Sequence, residues 1–170
     1  MFGAWDHSVP RTYGTPASYL AAAEFLDRYC ETVEDWGCGQ AGAKPYFKKS
    51  QYVGIDGSKS KGADKIVDLR RYTSSPDGIL LRHVLEHNYD WPMILRNALA
   101  SFQKRLVIVF FLPPEEQGRM FFVNKNGVPN LVLGRDCFLG FLKGLKFDEQ
   151  SIPRRDESGH PEERLFRFVR

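Results

Sequence analysis

Cysteine is scarce in this chain. Cys30, Cys38 and Cys137 are the only three, and no two form a C-x-x-C pair. An odd, widely spaced set suits reduced thiols better than a disulfide framework or a zinc knuckle. Long apolar runs are also missing. The longest covers residues 106–112, far short of the roughly 20 residues that a membrane-crossing helix needs. No basic-then-apolar leader opens the sequence, and Phe2 stands where myristoylation requires glycine. The expected compartment is therefore the cytoplasm, with no membrane span. Charge of one sign is not in excess either. Lys and Arg total 24 against 21 Asp and Glu, net +3, too mild a balance to point to nucleic acid.

The chain does have the material for one ordinary domain. It holds 170 residues, 42% of them hydrophobic and 26% charged, which excludes disorder and low complexity for the chain as a whole. Its basic residues cluster. Lys44, Lys48, Lys49, Lys59, Lys61, Lys65, Arg70 and Arg71 fall within residues 44–71, beside only three acids. A solvated face and an anion-binding surface both fit that run.

Strand and helix signals alternate from residue 16 to about residue 112, the mark of a parallel α/β sheet. Thr15 and Pro16 announce a helix as cap and first residue. Strands are expected over 32–36, 52–56, 65–69, 78–81 and 106–112, and a second helix over 91–103 with Asp90 as its cap. A hairpin follows, residues 120–123 and 131–133 flanking Asn124-Lys125-Asn126-Gly127. A short helix over 136–143 precedes Gly144. Residues 147–152 and 165–169 form a closing antiparallel pair around a polar loop at 153–163. The expected fold is α/β: a Rossmann-like, doubly wound, mostly parallel sheet with an antiparallel C-terminal strand pair, in a three-layer sandwich. A single domain spans 1–170, with an N-terminal arm at 1–15 and a hairpin insertion at 113–135.

Gly37-Cys38-Gly39-Gln40-Ala41-Gly42 is a G-x-G-x-x-G after a strand, and Asp56 lies 19 residues beyond Gly37 at the end of the next strand. Glycines let backbone pass close to a ligand, and a carboxylate pairs with a ribose diol, so the pattern reads as a site for an adenosine-containing ligand. Asp35 narrows the choice. A carboxylate two residues before the first glycine would repel a pyrophosphate, whereas an amino-acid ligand with an ammonium group would gain from it. The length also leaves little room for a dehydrogenase's substrate domain.

Four segments, Asp35-Trp36-Gly37-Cys38-Gly39, Tyr52-Val53-Gly54-Ile55-Asp56, Ile66-Val67-Asp68-Leu69 and His83-Val84-Leu85-Glu86-His87, together resemble the class I S-adenosylmethionine-dependent methyltransferases. The likeness covers residues 17–112 and is greatest to the small-molecule branch with an H-V-L-E-H segment. Two departures are Ala41, where the family usually has glycine, and a first strand made polar by Glu34 and Asp35. The resemblance implies S-adenosyl-L-methionine as cofactor and S-adenosyl-L-homocysteine as product. It implies that Asp35, Trp36, Gly37, Cys38 and Gly39 lie along the methionine part and ribose. Asp56 would accept the ribose hydroxyls, with Gly57 and Ser58 beside the adenosine. Asp68 and Leu69 would meet the adenine, and Arg82 and His83 the methionine end. Methyl would pass to an O or N atom of a small-molecule or glycan/lipid-type acceptor. His83 is the first candidate base and His87 the second, because neutral imidazole takes a proton near pH 7. A non-catalytic adenosyl-binding domain and an NAD-dependent oxidoreductase are the alternatives.

The same His83-Val84-Leu85-Glu86-His87 segment matches a zinc peptidase pattern, H-x-x-E-H. His83 directly follows an apolar strand, so the two histidines are not expected to share a helix face, and no metal is expected. The signatures of adenine-amino and cytosine-carbon methylation are missing, so nucleic acid is not an expected partner. Met120, Phe121, Phe122 and Val123 are more apolar than a solvated hairpin needs. They suit a sheet edge, a homodimer contact, or a lid over an acceptor with Trp5 and Tyr13 opposite.

Overall fold

The computed structural model describes residues 15–112, 121–123, 129–153 and 162–170. Its elements run α1 (Pro16–Asp27), β1 (Thr32–Trp36), β2 (Gln51–Asp56), β3 (Lys65–Ile66), β4 (Gly78–Arg82), α2 (Trp91–Ser101), β5 (Arg105–Phe110), β6 (Phe121–Val123), β7 (Pro129–Leu131), α3 (Arg135–Phe141), β8 (Phe147–Pro153) and β9 (Glu162–Val169). Seven strands make one sheet in the order β3-β2-β1-β4-β5-β9-β8, and β6 and β7 form a separate pair. The first five strands pair in parallel, and β9 runs antiparallel to both β5 and β8.

Alternation along the central strands divides the core into two layers. Leu80, Val107, Val109 and Leu165 point to one face, where Ala22 and Leu26 of α1 cover them. Ile79, Leu81, Leu106, Ile108, Phe110, Phe166 and Phe168 point to the other, where Ile94, Leu95 and Ala98 of α2 and Phe138 of α3 pack. The result is the three-layer α/β sandwich with an antiparallel C-terminal pair. Thr15 does cap α1: its side chain accepts the Ser18 N–H at 3.4 Å. Asp90 occupies the cap position of α2 but makes no side-chain cap bond.

The fold departs from the sequence expectation in several places: the return strand of the hairpin, for one, runs over Pro129–Leu131 and not 131–133, and the fifth strand ends at Phe110. The third strand holds two residues instead of five. Val67 N–H still reaches the Asp56 carbonyl, but the Asp68 carboxylate then accepts the Arg70 N–H at 3.0 Å. This local side-chain bond turns the chain away from the sheet. The polar segment at 153–163 is shorter than expected, because Pro153 ends β8 and Glu162 and Glu163 open β9. The crossovers from β1 to β2 and from β2 to β3 contain no α-helix. One carries a single 3-10 turn at Lys44–Tyr46, and the other is a loop over residues 57–64. Loops alone therefore cover that half of the sheet.

The polar first strand is explained by its partners. Glu34, on the α2 face, accepts from Trp36 Nε1 at 2.9 Å, Ser74 Oγ at 2.6 Å, Tyr72 OH at 3.0 Å and Lys65 Nζ at 3.3 Å. Burial pushes its carboxyl up, but these bonds outweigh burial and hold it below the ordinary range.

Candidate functional site

In parallel strands all carboxyl ends lie along one edge, and a crevice opens where the strand order reverses. Here the reversal falls between β1 and β4. Trp36 pairs with Ile55 of β2 on one side and Leu81 of β4 on the other. The exits of β1, β2 and β4 therefore bring Asp35, the glycine turn, Asp56, Arg82 and His83 to one edge.

The turn after β1 is left-handed twice, at Gly37 (φ 79°) and Gly39 (φ 53°). A Cβ on Gly37 would lie 2.3 Å from Val84 Cγ2, so glycine serves there both the backbone angle and the close approach of the segment after β4. Ala41 has φ 58°. The chain thus keeps, with a side chain, the conformation that glycine takes most easily at this position.

Asp56 joins two of these segments. Its Oδ2 accepts the Gly39 N–H at 2.8 Å, and its Oδ1 accepts Ser58 N–H at 2.8 Å and Ser58 Oγ–H at 2.6 Å. Residues 57–64 then fold back over the glycine turn. Gly62 sits so close that a Cβ there would be 2.4 Å from Ala41 N, and the Ser60 hydroxyl donates to the Gly39 carbonyl.

Asp35 is buried on the α1 face and accepts the Tyr52 hydroxyl at 2.5 Å. Burial pushes its carboxyl up to about 7, against the lowering effect of the Tyr52 bond and the Arg82 charge and with a further push from Asp56. Cys38 is buried too, and burial foremost raises its thiol far above the ordinary range, which makes it an inert lining group. Asp68 sits at the margin. Arg70 grips it with Nη2 at 2.8 Å and Nε at 2.9 Å and also reaches Asp90 at 3.1 Å. Leu69 beside it is buried.

At the end of β4 the sequence expectation missed one residue. Glu163 of β9 is fully buried. Its Oε1 accepts from His83 Nε2 at 2.6 Å, Arg82 Nη2 at 3.1 Å and Ser18 Oγ at 3.1 Å. Its Oε2 accepts from Thr15 N at 3.0 Å and Thr15 Oγ1 at 2.8 Å. Burial alone would raise this carboxyl, but the His83 bond and the Arg82 charge hold it down at about 2. The signal was the period of two: stepping back from Leu165 along β9 puts Glu163 on the α1 face. Arg82 lies 3.7 Å from the centre of the Tyr19 ring, and its Nε donates to Ser18 Oγ at 3.1 Å.

The two histidines are not one helical turn apart. His83 has φ 52° and lies just beyond the strand, whereas His87 ends the 3-10 turn Leu85–His87. His83 Nδ1 meets Glu86 Oε1 at 2.6 Å, so a carboxylate faces each of its ring nitrogens. His87 Nδ1 donates to the Pro129 carbonyl at 3.1 Å, which places β7 against the turn. Among the described residues no group of three or more His, Cys, Asp or Glu is placed to hold a metal ion. No described helix is long and apolar enough to cross a membrane.

The backbone as a whole superposes on solved proteins. A 1,6-didemethyltoxoflavin-N1-methyltransferase from Burkholderia thailandensis, solved with that compound and S-adenosylhomocysteine bound, superposes with a TM-score of 0.69 over 95% of this chain and 93% of its own, at 14% identity. The chain has the class I methyltransferase fold. Magnesium protoporphyrin IX methyltransferase from Synechocystis, with S-adenosylmethionine bound, shares the fold at a TM-score of 0.61 and 16% identity, over 90% of this chain and 75% of its own. The [4+2]-cyclase SpnF shares it at a TM-score of 0.68 and 13% identity, over 89% and 78%. No protein-family model and no curated protein matches the chain. The methyltransferase fold thus stands on geometry, and its neighbours' names cover more than one reaction.

Proposed function

We propose that the chain is an S-adenosylmethionine-dependent methyltransferase acting on an O or N atom of a small-molecule or glycan/lipid-type acceptor. One observation carries this reading: a strand-end carboxylate, Asp56, lies against a left-handed glycine turn at the reversal of strand order. That arrangement offers a diol-binding acid and close backbone together. In this reading Asp56 takes one ribose hydroxyl on the lone pair of Oδ2 that Gly39 leaves and the other on Oδ1 in place of the Ser58 hydroxyl, and Gly57 and Ser58 flank the adenosine. Asp68 and Leu69 meet the adenine. Gly37, Cys38 and Gly39 run beneath the ribose and methionine. Asp35, Arg82 and His83 form the methionine end, where the carboxylate of Asp35 suits an ammonium group.

Methyl transfer from a sulfonium is an in-line displacement. The donor is already activated, so alignment and exclusion of water supply most of the acceleration. An acceptor hydroxyl or ammonium also needs a proton acceptor. The proposal gives this role to His87 over His83, reversing the order expected from sequence. His83 has a carboxylate against each ring nitrogen, so neither nitrogen faces an acceptor substrate. His87 donates through Nδ1, and burial lowers its pKa more than the Glu86 charge and the Pro129 carbonyl raise it. Its neutral form, with the lone pair on Nε2, is favoured near pH 7. Acceptor choice is assigned to the β6–β7 hairpin and the N-terminal arm with Trp5 and Tyr13. Met120 and Asn124 to Gly127 of that expectation, and residues 1–14 of the arm, lie outside the described residues.

The test is a thermal-shift panel followed by an acceptor screen read by mass spectrometry. S-adenosylhomocysteine at one hundred times its Kd should stabilise the protein by about 2.7 kcal/mol, and NAD should not. A gain of 14 mass units on an acceptor then establishes transfer. Stabilisation by NAD alone overturns the reading. The neighbour named as a cyclase motivates a second reading, a domain that binds the adenosyl ligand without transferring methyl. Tight S-adenosylhomocysteine binding with no methylated product from any acceptor would favour it.

A further inference from the structure

The geometry points to Glu163 as a positioning residue that locks the exit of β4 and the start of α1 into one unit at the methionine end of the proposed cofactor site. The inference rests on the methyltransferase reading for its ligand, and on the structure alone for its mechanics.

A β-substituted side chain in the left-handed region is strained, so the turn at His83 persists only if its surroundings fix it. Three contacts do so. The His83 N–H donates to the Val109 carbonyl at 2.8 Å. Glu86 holds one ring nitrogen and Glu163 the other. Of the two carboxylates, only Glu163 reaches beyond the turn. It also holds Arg82, which stacks on Tyr19 of α1. Through Ser18 Oγ and both the N–H and hydroxyl of Thr15, it grips the capped end of α1. Five donors converge on its two oxygens, and every one comes from outside β9.

The consequence is mechanical. β9 has no place among the parallel strands whose ends form the crevice, yet its first residues determine how the β4 exit lies against α1. Loss of the Glu163 carboxylate removes one acceptor each from the His83 ring, from Arg82 and from the Thr15 N–H. Glu163 itself need not touch a ligand. Its effect passes through Arg82 and His83, which is why it is a positioning residue and not a catalytic one.

Glu163→Gln is the deciding variant, with Leu165→Ala as its control. Leu165 lies on the same face of β9 and belongs to the apolar layer under α1. Glu163→Gln should weaken S-adenosylhomocysteine binding at least tenfold by calorimetry and shift both His83 ring-nitrogen resonances, which are assigned by their loss in His83→Gly. Leu165→Ala should leave affinity within threefold and those resonances in place. Glycine adopts the left-handed turn without being held, so Glu163→Gln should lower the denaturation midpoint less in a His83→Gly background than alone. Four results would overturn the inference: affinity within threefold and unmoved His83 signals in Glu163→Gln; an equal affinity loss in Leu165→Ala; the same midpoint loss in both backgrounds; or failure of Glu163→Gln to fold in either. If the unaltered protein binds no S-adenosylhomocysteine, the methyltransferase reading fails separately, while the His83 resonances and the double-variant cycle still decide whether Glu163 holds the turn.

Discussion

The carboxylate of Asp56 accepts the N–H of Gly39 at 2.8 Å, so the end of β2 is fastened to the turn that leaves β1. A group expected to receive a ribose therefore also assembles its own site. Asp56→Ala should weaken S-adenosylhomocysteine binding by about 1.5–3 kcal/mol, through loss of charge-assisted bonds. Asp56→Asn should fall between, since it keeps one acceptor oxygen and places an amide NH2 where the other oxygen accepts. Calorimetry on both variants checks this, and an unchanged affinity in Asp56→Ala would displace the ribose from β2.

Asp35 sets a pH dependence. Its carboxyl is pushed up to about 7 by burial, so it gains its charge as pH rises through neutrality. If that charge meets the ammonium of the ligand, affinity for S-adenosylhomocysteine should rise roughly tenfold between about pH 6 and pH 8. Asp35→Asn should bind weakly and without this slope. A flat profile in the unaltered protein would place the ammonium elsewhere.

Folding stability should respond to the same group in the opposite sense. A carboxyl whose folded pKa lies above its unfolded value stabilises the protein fully below the unfolded pKa and loses that contribution as pH rises through the folded one. Asp35 therefore costs stability progressively between about 3.8 and about 7. Glu163 is the reverse case, its carboxyl held at about 2 against a usual 4.5. Its contribution, about 3 kcal/mol as an order of magnitude, is present above the unfolded pKa and fades as pH falls toward the folded one. Urea midpoints against pH should show the neutral-range decline flattened in Asp35→Asn. The acid-range loss should be flattened in Glu163→Gln.

Ala41 holds φ 58° with a side chain. Ala41→Gly relieves the clash of Cβ with the backbone and should stabilise the protein by about 0.5–1 kcal/mol, with S-adenosylhomocysteine affinity unchanged. Denaturant titration measures the first and calorimetry the second. A loss of stability would mean that the buried methyl contributes more than the strain costs.

The parts of this fold legible in the sequence were those written in local patterns. The Gly37-Cys38-Gly39 turn, Asp56 at its strand end and the apolar β5 each carry their signal within a few residues. The parts that were not legible depend on distant partners. Glu163 reads as one more charge in a polar loop until α1 and β4 are set beside it, because its donors lie 80 or more residues away in sequence. The brevity of β3 follows from the bond between the Asp68 carboxylate and the Arg70 N–H, which no hydrophobic period reports. The helix-free second crossover was written in the spacing: residues 57–64 between β2 and β3 fall short of the dozen or so residues that a helical crossover needs.

Those helix-free crossovers give the sheet two unequal halves. β4, β5 and β9 lie under α1, α2 and α3, whereas β2 and β3 end the sheet beneath loops alone. In hydrogen-exchange terms, amides of β4 and β5 should exchange only through global unfolding, while those of β2 and β3 exchange through a smaller, more frequent opening. A ligand seated between Asp56 and the glycine turn would close that opening, so slowed exchange at Gly54, Ile55 and Asp56 would serve as a direct gauge of how often the site is filled.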